Sequence, residues 1–219
     1  MTPPVVFDMD GIILEGARTH PQVYADAADA ALADLGAEPT SSQRRDFRRH
    51  EHDLIREHCD DLEIDLSQFW ELKETYASEG THDRLRTGER ETYDDVEAIH
   101  DLGERTTIGL VTNNRHETAA FVADHFGFDF EVVRGRDPTF EGYERRKPDP
   151  YYIEDALSEL GTSNGIYVGD SPKDVTAGDA AGLETAFVRR PHNRDLERPA
   201  DATYDLESLW ELLDIIESA

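Results

Sequence analysis

A three-residue apolar run, Val5-Val6-Phe7, ends on two carboxylates one residue apart, Asp8 and Asp10, and Gly11 then turns the chain away. Such a run reads as a short buried strand. In an open α/β sheet, ligands bind at the carboxyl ends of the strands. Two acids delivered to that place need neutralising, because unpaired buried charge is expensive. A metal ion, a cationic side chain or a proton would serve.

The rest of the chain shows what kind of fold surrounds this strand. After Gly16, Val23, Ala27, Ala31 and Leu35 fall on one face of a first helix that stops at Gly36. Ser41 and Ser42 cap a second helix predicted to run to about His58. Asp65 opens a third, with Leu66, Phe69, Trp70 and Lys73 near one side. The stretch 80–91 has two glycines and no apolar period, and reads as a loop or hinge. Beyond it the character changes. A helix over about 93–104 leads to strand 107–112, a helix ending near Phe126, strand 131–133 and helix 149–160. Strand 165–170, helix 172–181, strand 184–188 and a helix over about 205–217 complete the chain. Strands alternating with helices predict a parallel sheet with helices on both faces. The expected architecture is α/β: a doubly wound, Rossmann-like core of residues 1–16 and 86–219, with an all-helical cap, 17–85, inserted after the first strand.

Charge narrows the partners. The chain carries 49 acids against 22 bases, a net charge of −27. Phosphate backbones need a basic surface, so nucleic acid is not an expected partner. Aromatic residues make up 9% of the chain, which with the recurring apolar periods argues for a folded protein in an acidic coat rather than disorder. Only three of the basic residues are lysines (Lys73, Lys147 and Lys173) against nineteen arginines. Excess acid with few lysines looks like adaptation to high salt, because the Debye length shrinks to about 3 Å at 1 M and relieves self-repulsion. The melting temperature is therefore expected to rise between low and molar KCl; an unchanged value would remove the halophilic reading. No apolar run approaches membrane-spanning length, no signal-peptide pattern opens the chain, and Cys59 is a single cysteine. A cytoplasmic protein without membrane contact is expected.

Three predicted strands end in polar residues: Asp8 and Asp10, Thr112 and Asn113, and Asp170. In a parallel sheet these converge at one edge. Lys147 precedes Pro148-Asp149-Pro150, and proline suits the first turn of a helix, so the lysine is placed at a helix mouth facing that edge. The ordered set Asp8-Met9-Asp10-Gly11, Leu110-Val111-Thr112-Asn113, Lys147-Pro148-Asp149 and Gly169-Asp170-Ser171-Pro172-Lys173-Asp174 resembles the haloacid dehalogenase-like superfamily. Within it, the order matches phosphatases with a helical cap between the first two motifs, the phosphoglycolate phosphatase-like group. The resemblance covers roughly 1–15 and 86–190, and the cap matches only in position and helical character.

The resemblance implies that Asp8 attacks phosphorus to form an aspartyl-phosphate. It implies a Mg²⁺ ion on the Asp8 and Asp170 carboxylates and the Asp10 backbone carbonyl, with Asp174 assisting, directly or through water. The Asp10 side chain would protonate the leaving oxygen and then accept a proton from water. The Thr112 hydroxyl and the amides at Asn113 and Asn114 would hold phosphate oxygens at a helix N-terminus. Lys147 would offset the charge of nucleophile and phosphate. The implied substrate is a small phosphorylated metabolite. Three other activities remain open: a sugar phosphomutase using the same motifs, a haloacid dehalogenase, which needs neither metal nor Asp10, and a non-enzymatic binding protein on the same core.

Simpler readings exist for several of these residues. Thr112-Asn113 could be only a helix cap, and Lys147 a surface lysine. Ser171-Pro172-Lys173-Asp174 is also a capping-box pattern. Arg44, Arg45, Arg48, Arg49, His52 and Arg56 read as a helix face answering nearby acids rather than as a substrate pocket. Arg115 either reaches substrate or lies on the exposed face of its helix. The histidines show no metal spacing, although His50 and His52 are close together.

Overall fold

The computed structural model describes residues 2–49 and 51–218, so His50 lies outside the described residues. The chain runs β1 (Val5–Phe7), α1 (Pro21–Asp34), α2 (Ser41–Arg49), α3 (His52–Asp61), α4 (Leu66–Arg86), α5 (Glu97–Gly103), β2 (Ile108–Arg115) and α6 (His116–Phe126). It continues through β3 (Val132–Arg136), α7 (Phe140–Glu144), α8 (Tyr151–Leu160), β4 (Ile166–Gly169), α9 (Pro172–Ala180), β5 (Glu184–Val188), β6 (Tyr204–Leu206) and α10 (Glu211–Ser218). The strands form one sheet in the order β3-β2-β1-β4-β5-β6, parallel throughout. The fold is therefore a doubly wound, Rossmann-like α/β sheet. Its strand order reverses at β1, which has β2 on one side and β4 on the other, and such a reversal opens a crevice at the strand ends.

β1 and β4 are buried along their whole length, which is why they read as continuous apolar runs. Val6, Val111, Val132 and Tyr167 share one core cluster with Tyr152, Ile153, Ala156 and Leu157 of α8 and Ala177 of α9. Contacts divide the described chain into two compact units: 1–18 with 90–136 and 144–219, and 19–89 with 137–143. The second unit is helical. Its core joins Ala28, Ala31 and Leu32 of α1, Phe47 of α2, Ile55 and Cys59 of α3, and Phe69 and Trp70 of α4. Phe140 and Tyr143 pack on that cluster, and this draws 137–143 into the unit even though the segment follows β3 in sequence.

Several expected elements differ. The helix predicted over 41–58 is two helices: Glu51 takes ψ 83°, outside the helical range, and the change of direction lets Phe47 and Ile55 enter the same cluster. Residues 80–86 are not loop but the last turns of α4. The apolar stripe there was masked because two of its three buried members, Thr81, His82 and Leu85, are polar. The helix predicted from 93 starts only at Glu97, since Tyr93 N–H donates instead to the Ile13 carbonyl at 3.0 Å. The helix predicted over 205–217 starts at Glu211, because residues 204–206 extend the sheet beside β5. Ser208 Oγ and Leu209 N–H then donate to Asp95 at 3.0 and 2.9 Å and fix the turn that follows.

The arginine-rich face of the second unit is answered by acids. Arg44 and Arg48 both pair with Asp29 of α1. These pairs are half exposed and add little stability. His52 stacks on Phe140 and Tyr143 instead of taking part in a basic face. Among the described residues no helix is long and apolar enough to cross a membrane.

Candidate active site

Phe7 of β1 is in register with Leu110 of β2 and Val168 of β4. The residues just beyond, Asp8, Val111 and Gly169, therefore lie side by side at the switch point, and Asp170 follows. Asp8 N–H closes the ladder with a 2.8 Å bond to the Val168 carbonyl, which holds the carboxylate at the strand end. Asp8, Asp170 and Asp174 are all buried, and each offers a carboxylate oxygen within 4.8 Å of the others.

Lys147 supplies the cation beside this cluster. Its Nζ lies 2.8 Å from Asp8 Oδ1 and 2.8 Å from Asp174 Oδ1, and donates to the Tyr167 hydroxyl at 2.7 Å. Tyr167 in turn donates to the Val111 carbonyl at 2.7 Å. Burial acts to lower the pKa of this ammonium, but the Asp174 and Asp8 carboxylates overcome it and hold that pKa well above the ordinary lysine value. Burial pushes the Asp8 carboxyl up to about 7: Lys147 pulls it down, while Asp174 and Asp170 push it further up. Burial acts upward on Asp174 too, but there Lys147 prevails and the carboxyl lies below its usual range. Asp170 is raised, chiefly by burial, against a hydrogen bond with His192.

Backbone features keep the acids together. At Gly11, with φ +86°, an added Cβ would stand 2.1 Å from Asp170 Oδ2, so no side chain fits between the turn after Asp10 and this carboxylate. Asp174 closes a capping box at the start of α9: Ser171 N–H donates to its Oδ2 at 3.1 Å, while its Oδ1 faces Lys147. Asp174 is thus both helix cap and partner of Lys147. His192 bonds the Asp170 carboxylate, and Asn193 Nδ2 donates to the Asp170 carbonyl at 2.7 Å.

The second motif is placed differently from expectation. Thr112 and Asn113 are within β2, and α6 starts only at His116, so neither stands at a helix N-terminus. The pairing of β2 with β3 is irregular between Thr112 and Arg115, which lengthens the strand past its motif. Thr112 is buried, and its hydroxyl accepts from Asn114 N–H at 3.1 Å. The Asn113 side chain clamps the Lys147 backbone, donating to its carbonyl at 3.1 Å and accepting from its N–H at 2.8 Å. Lys147 is held there as a buried residue, neither on the surface nor at a helix mouth, since α8 starts only at Tyr151. Arg115 is buried too, which removes its exposed-face reading.

Asp10 is not one of the three grouped carboxylates. Its Oδ1 is 2.7 Å from Arg90 Nη1, and its Oδ2 accepts from Asn114 Nδ2 at 2.9 Å. Sequence reasoning missed Arg90, Tyr167 and His192, and it singled out Asn114 for its backbone amide and not for the side chain that bonds Asp10. Tyr167 has the pattern of a core strand residue, and Arg90 and His192 lie in stretches without periodicity.

A divalent ion suits the cluster. Three buried carboxylates face one ammonium, the donors are hard oxygens, and Mg²⁺ takes one or two carboxylates together with waters and phosphate.

A family model described as haloacid dehalogenase-like hydrolase matches residues 5–182. Pyrophosphatase PpaX of Halalkalibacterium halodurans is 32% identical over 160 residues, covering 70% of this chain and 72% of that protein. Phosphoglycolate phosphatase of Cereibacter sphaeroides is 29% identical over 199 residues, covering 84% of each. Among solved structures, CbbY from Rhodobacter sphaeroides in complex with phosphate shares the fold, with a TM-score of 0.66 at 18% identity over 97% of this chain and 96% of that one.

Proposed function

Because this chain belongs to the haloacid dehalogenase-like hydrolases and is a phosphatase, we propose that it hydrolyses a small phosphate monoester or anhydride through an aspartyl-phosphate on Asp8. The observation that carries the proposal is the convergence of Asp8, Asp170 and Asp174 on Lys147 at the strand-order reversal. Asp8 is the nucleophile: its oxygen bonds to phosphorus as the ester or anhydride P–O bond breaks. Asp10 gives its proton to the departing oxygen and later takes one from the water that attacks the aspartyl-phosphate at phosphorus, as the P–O bond to Asp8 breaks and inorganic phosphate leaves. Lys147 neutralises Asp8 and an incoming phosphate oxygen, and the Asn113 side chain holds its backbone in place for that. The Thr112 hydroxyl and the backbone amides nearby receive phosphate oxygens. Asp8, Asp170 and the Asp10 carbonyl would hold Mg²⁺, with Asp174 behind them, and the ion would supply charge neutralisation for the approach of two anions.

The phosphatase names of the relatives support phosphoryl transfer over dehalogenation, and the substrate class follows theirs: small and phosphorylated. The test is a panel of phosphate esters, with inorganic pyrophosphate and phosphoglycolate included, incubated with the protein in molar KCl with and without Mg²⁺. Phosphate release that needs Mg²⁺ and stops with EDTA is expected. No release from any member would overturn the proposal. Conversion of β-glucose 1-phosphate to glucose 6-phosphate without free phosphate would turn the assignment to a phosphomutase.

A further inference from the structure

Arg90 meets an oxygen with each of its three guanidinium nitrogens, and nothing in the four motifs accounts for it. Its Nε donates to the Glu15 carbonyl at 2.9 Å, its Nη2 to the Gly16 carbonyl at 3.0 Å, and its Nη1 lies 2.7 Å from Asp10 Oδ1. Its side chain is only 12% exposed. The segment it grips, 9–16, is a compact turn: Gly11 N–H donates to the Leu14 carbonyl, and Ile13 and Leu14 N–H donate to Met9. Glu15 N–H then donates to the Glu91 carbonyl, beside Arg90, at 2.9 Å. The guanidinium is therefore a rigid fork anchored on two backbone carbonyls, and its third nitrogen meets the carboxyl group of Asp10. Asn114 takes the other oxygen of the same group at 2.9 Å.

We infer that Arg90 is a positioning residue that, together with Asn114, fixes the orientation of the Asp10 carboxyl group for proton transfer. The inference rests on Asp10 being the proton-transfer group proposed above. A carboxyl held at both oxygens cannot turn about its terminal torsion unless a donor lets go. Only the planar arginine fork spans the two carbonyls and the acid at once; a lysine would reach one of them. Orientation matters because general acid catalysis contributes roughly 10²–10⁴-fold and depends on the acid lying within hydrogen-bond reach of the departing oxygen. A displacement of about 1 Å can cost on the order of 10²-fold.

Leaving-group dependence tests the inference, since 4-nitrophenolate departs without a proton and an alkoxide does not. The readout is kcat/KM, which reports the step in which the leaving group departs, for n-propyl phosphate and 4-nitrophenyl phosphate. In Arg90→Gln the value for n-propyl phosphate is expected to fall about 100-fold, and that for 4-nitrophenyl phosphate less than about 5-fold. Arg90→Lys, which keeps a cation near Asp10, is expected to fall between Arg90→Gln and the unaltered protein, and is read by the same ratio if Arg90→Gln does not fold. Equal losses on both substrates, or a gain, would overturn the inference. Asp10→Asn is the control. If it shows the selective loss and Arg90→Gln does not, Arg90 alone loses its role. If it loses both substrates equally, the proton-transfer role of Asp10 falls, and the inference with it.

Discussion

Asp8→Asn is expected to abolish phosphate release, by on the order of 10⁴-fold or more, while leaving a folded protein. The amide keeps the shape of the side chain but cannot form an acyl phosphate, and loss of a covalent nucleophile is among the largest single-residue effects known in enzymes. Stability should move the other way. Burial raises the folded-state pKa of Asp8 from 3.8 to about 7. The folded protein then holds this proton more tightly than the unfolded chain does, so the Asp8 contribution to stability falls as pH rises from about 4 to about 7 and stays low above that. At pH 8 in metal-free buffer the ionised carboxylate is a cost, and the asparagine removes it. The variant should therefore melt no lower than the parent at pH 8, and its advantage should vanish near pH 4. Wild-type turnover in Asp8→Asn would refute the covalent route, and a clearly lower melting temperature at pH 8 would refute the electrostatic account of the site.

Lys147→Ala has the second large expected effect, on stability as well as activity. The ammonium is buried and is the close cation for both Asp8 and Asp174. Removing one partner of a buried ion pair costs about 3–5 kcal/mol, because the remaining charge is left without compensation. Denaturant unfolding at pH 8 with EDTA should show a loss of that size, and added Mg²⁺ should return part of it by binding only the folded form. The double variant with Asp8→Asn should lose less than Lys147→Ala alone, since one of the stranded charges is then absent. A loss below about 1 kcal/mol in Lys147→Ala, or strict additivity in the double variant, would show that the lysine does not neutralise the cluster.

The sheet was legible because its strands are short apolar runs between helices of clear period; 184–188 matches β5 residue for residue. Where local pattern and tertiary contact competed, contact prevailed. Residues 205 and 206 look like the start of an apolar helix, yet with Tyr204 they pair with β5 and finish the sheet. Thr81 and His82 look like loop residues because they are polar, and they are buried in α4 because neighbours cover them. Phe140 and Tyr143 carry no sign in sequence that they pack with Trp70.

Two acids at the end of β1 opened the question of what neutralises them. The sequence by itself determined the residue types, their order and their delivery to one edge of a parallel sheet, since strand ends and motif positions follow from local periodicity. Tertiary structure decided which charges meet. It separates the two acids, with Asp8 facing Lys147 and Asp10 facing Arg90 and Asn114. It also gives the Asn113 side chain a use the sequence did not show, as a clamp on the Lys147 backbone. The physical reason is range: hydrophobic period is written in neighbouring residues, whereas the charge of a buried group is settled by whatever the fold brings within a few ångströms, here from positions 27 to 139 residues apart.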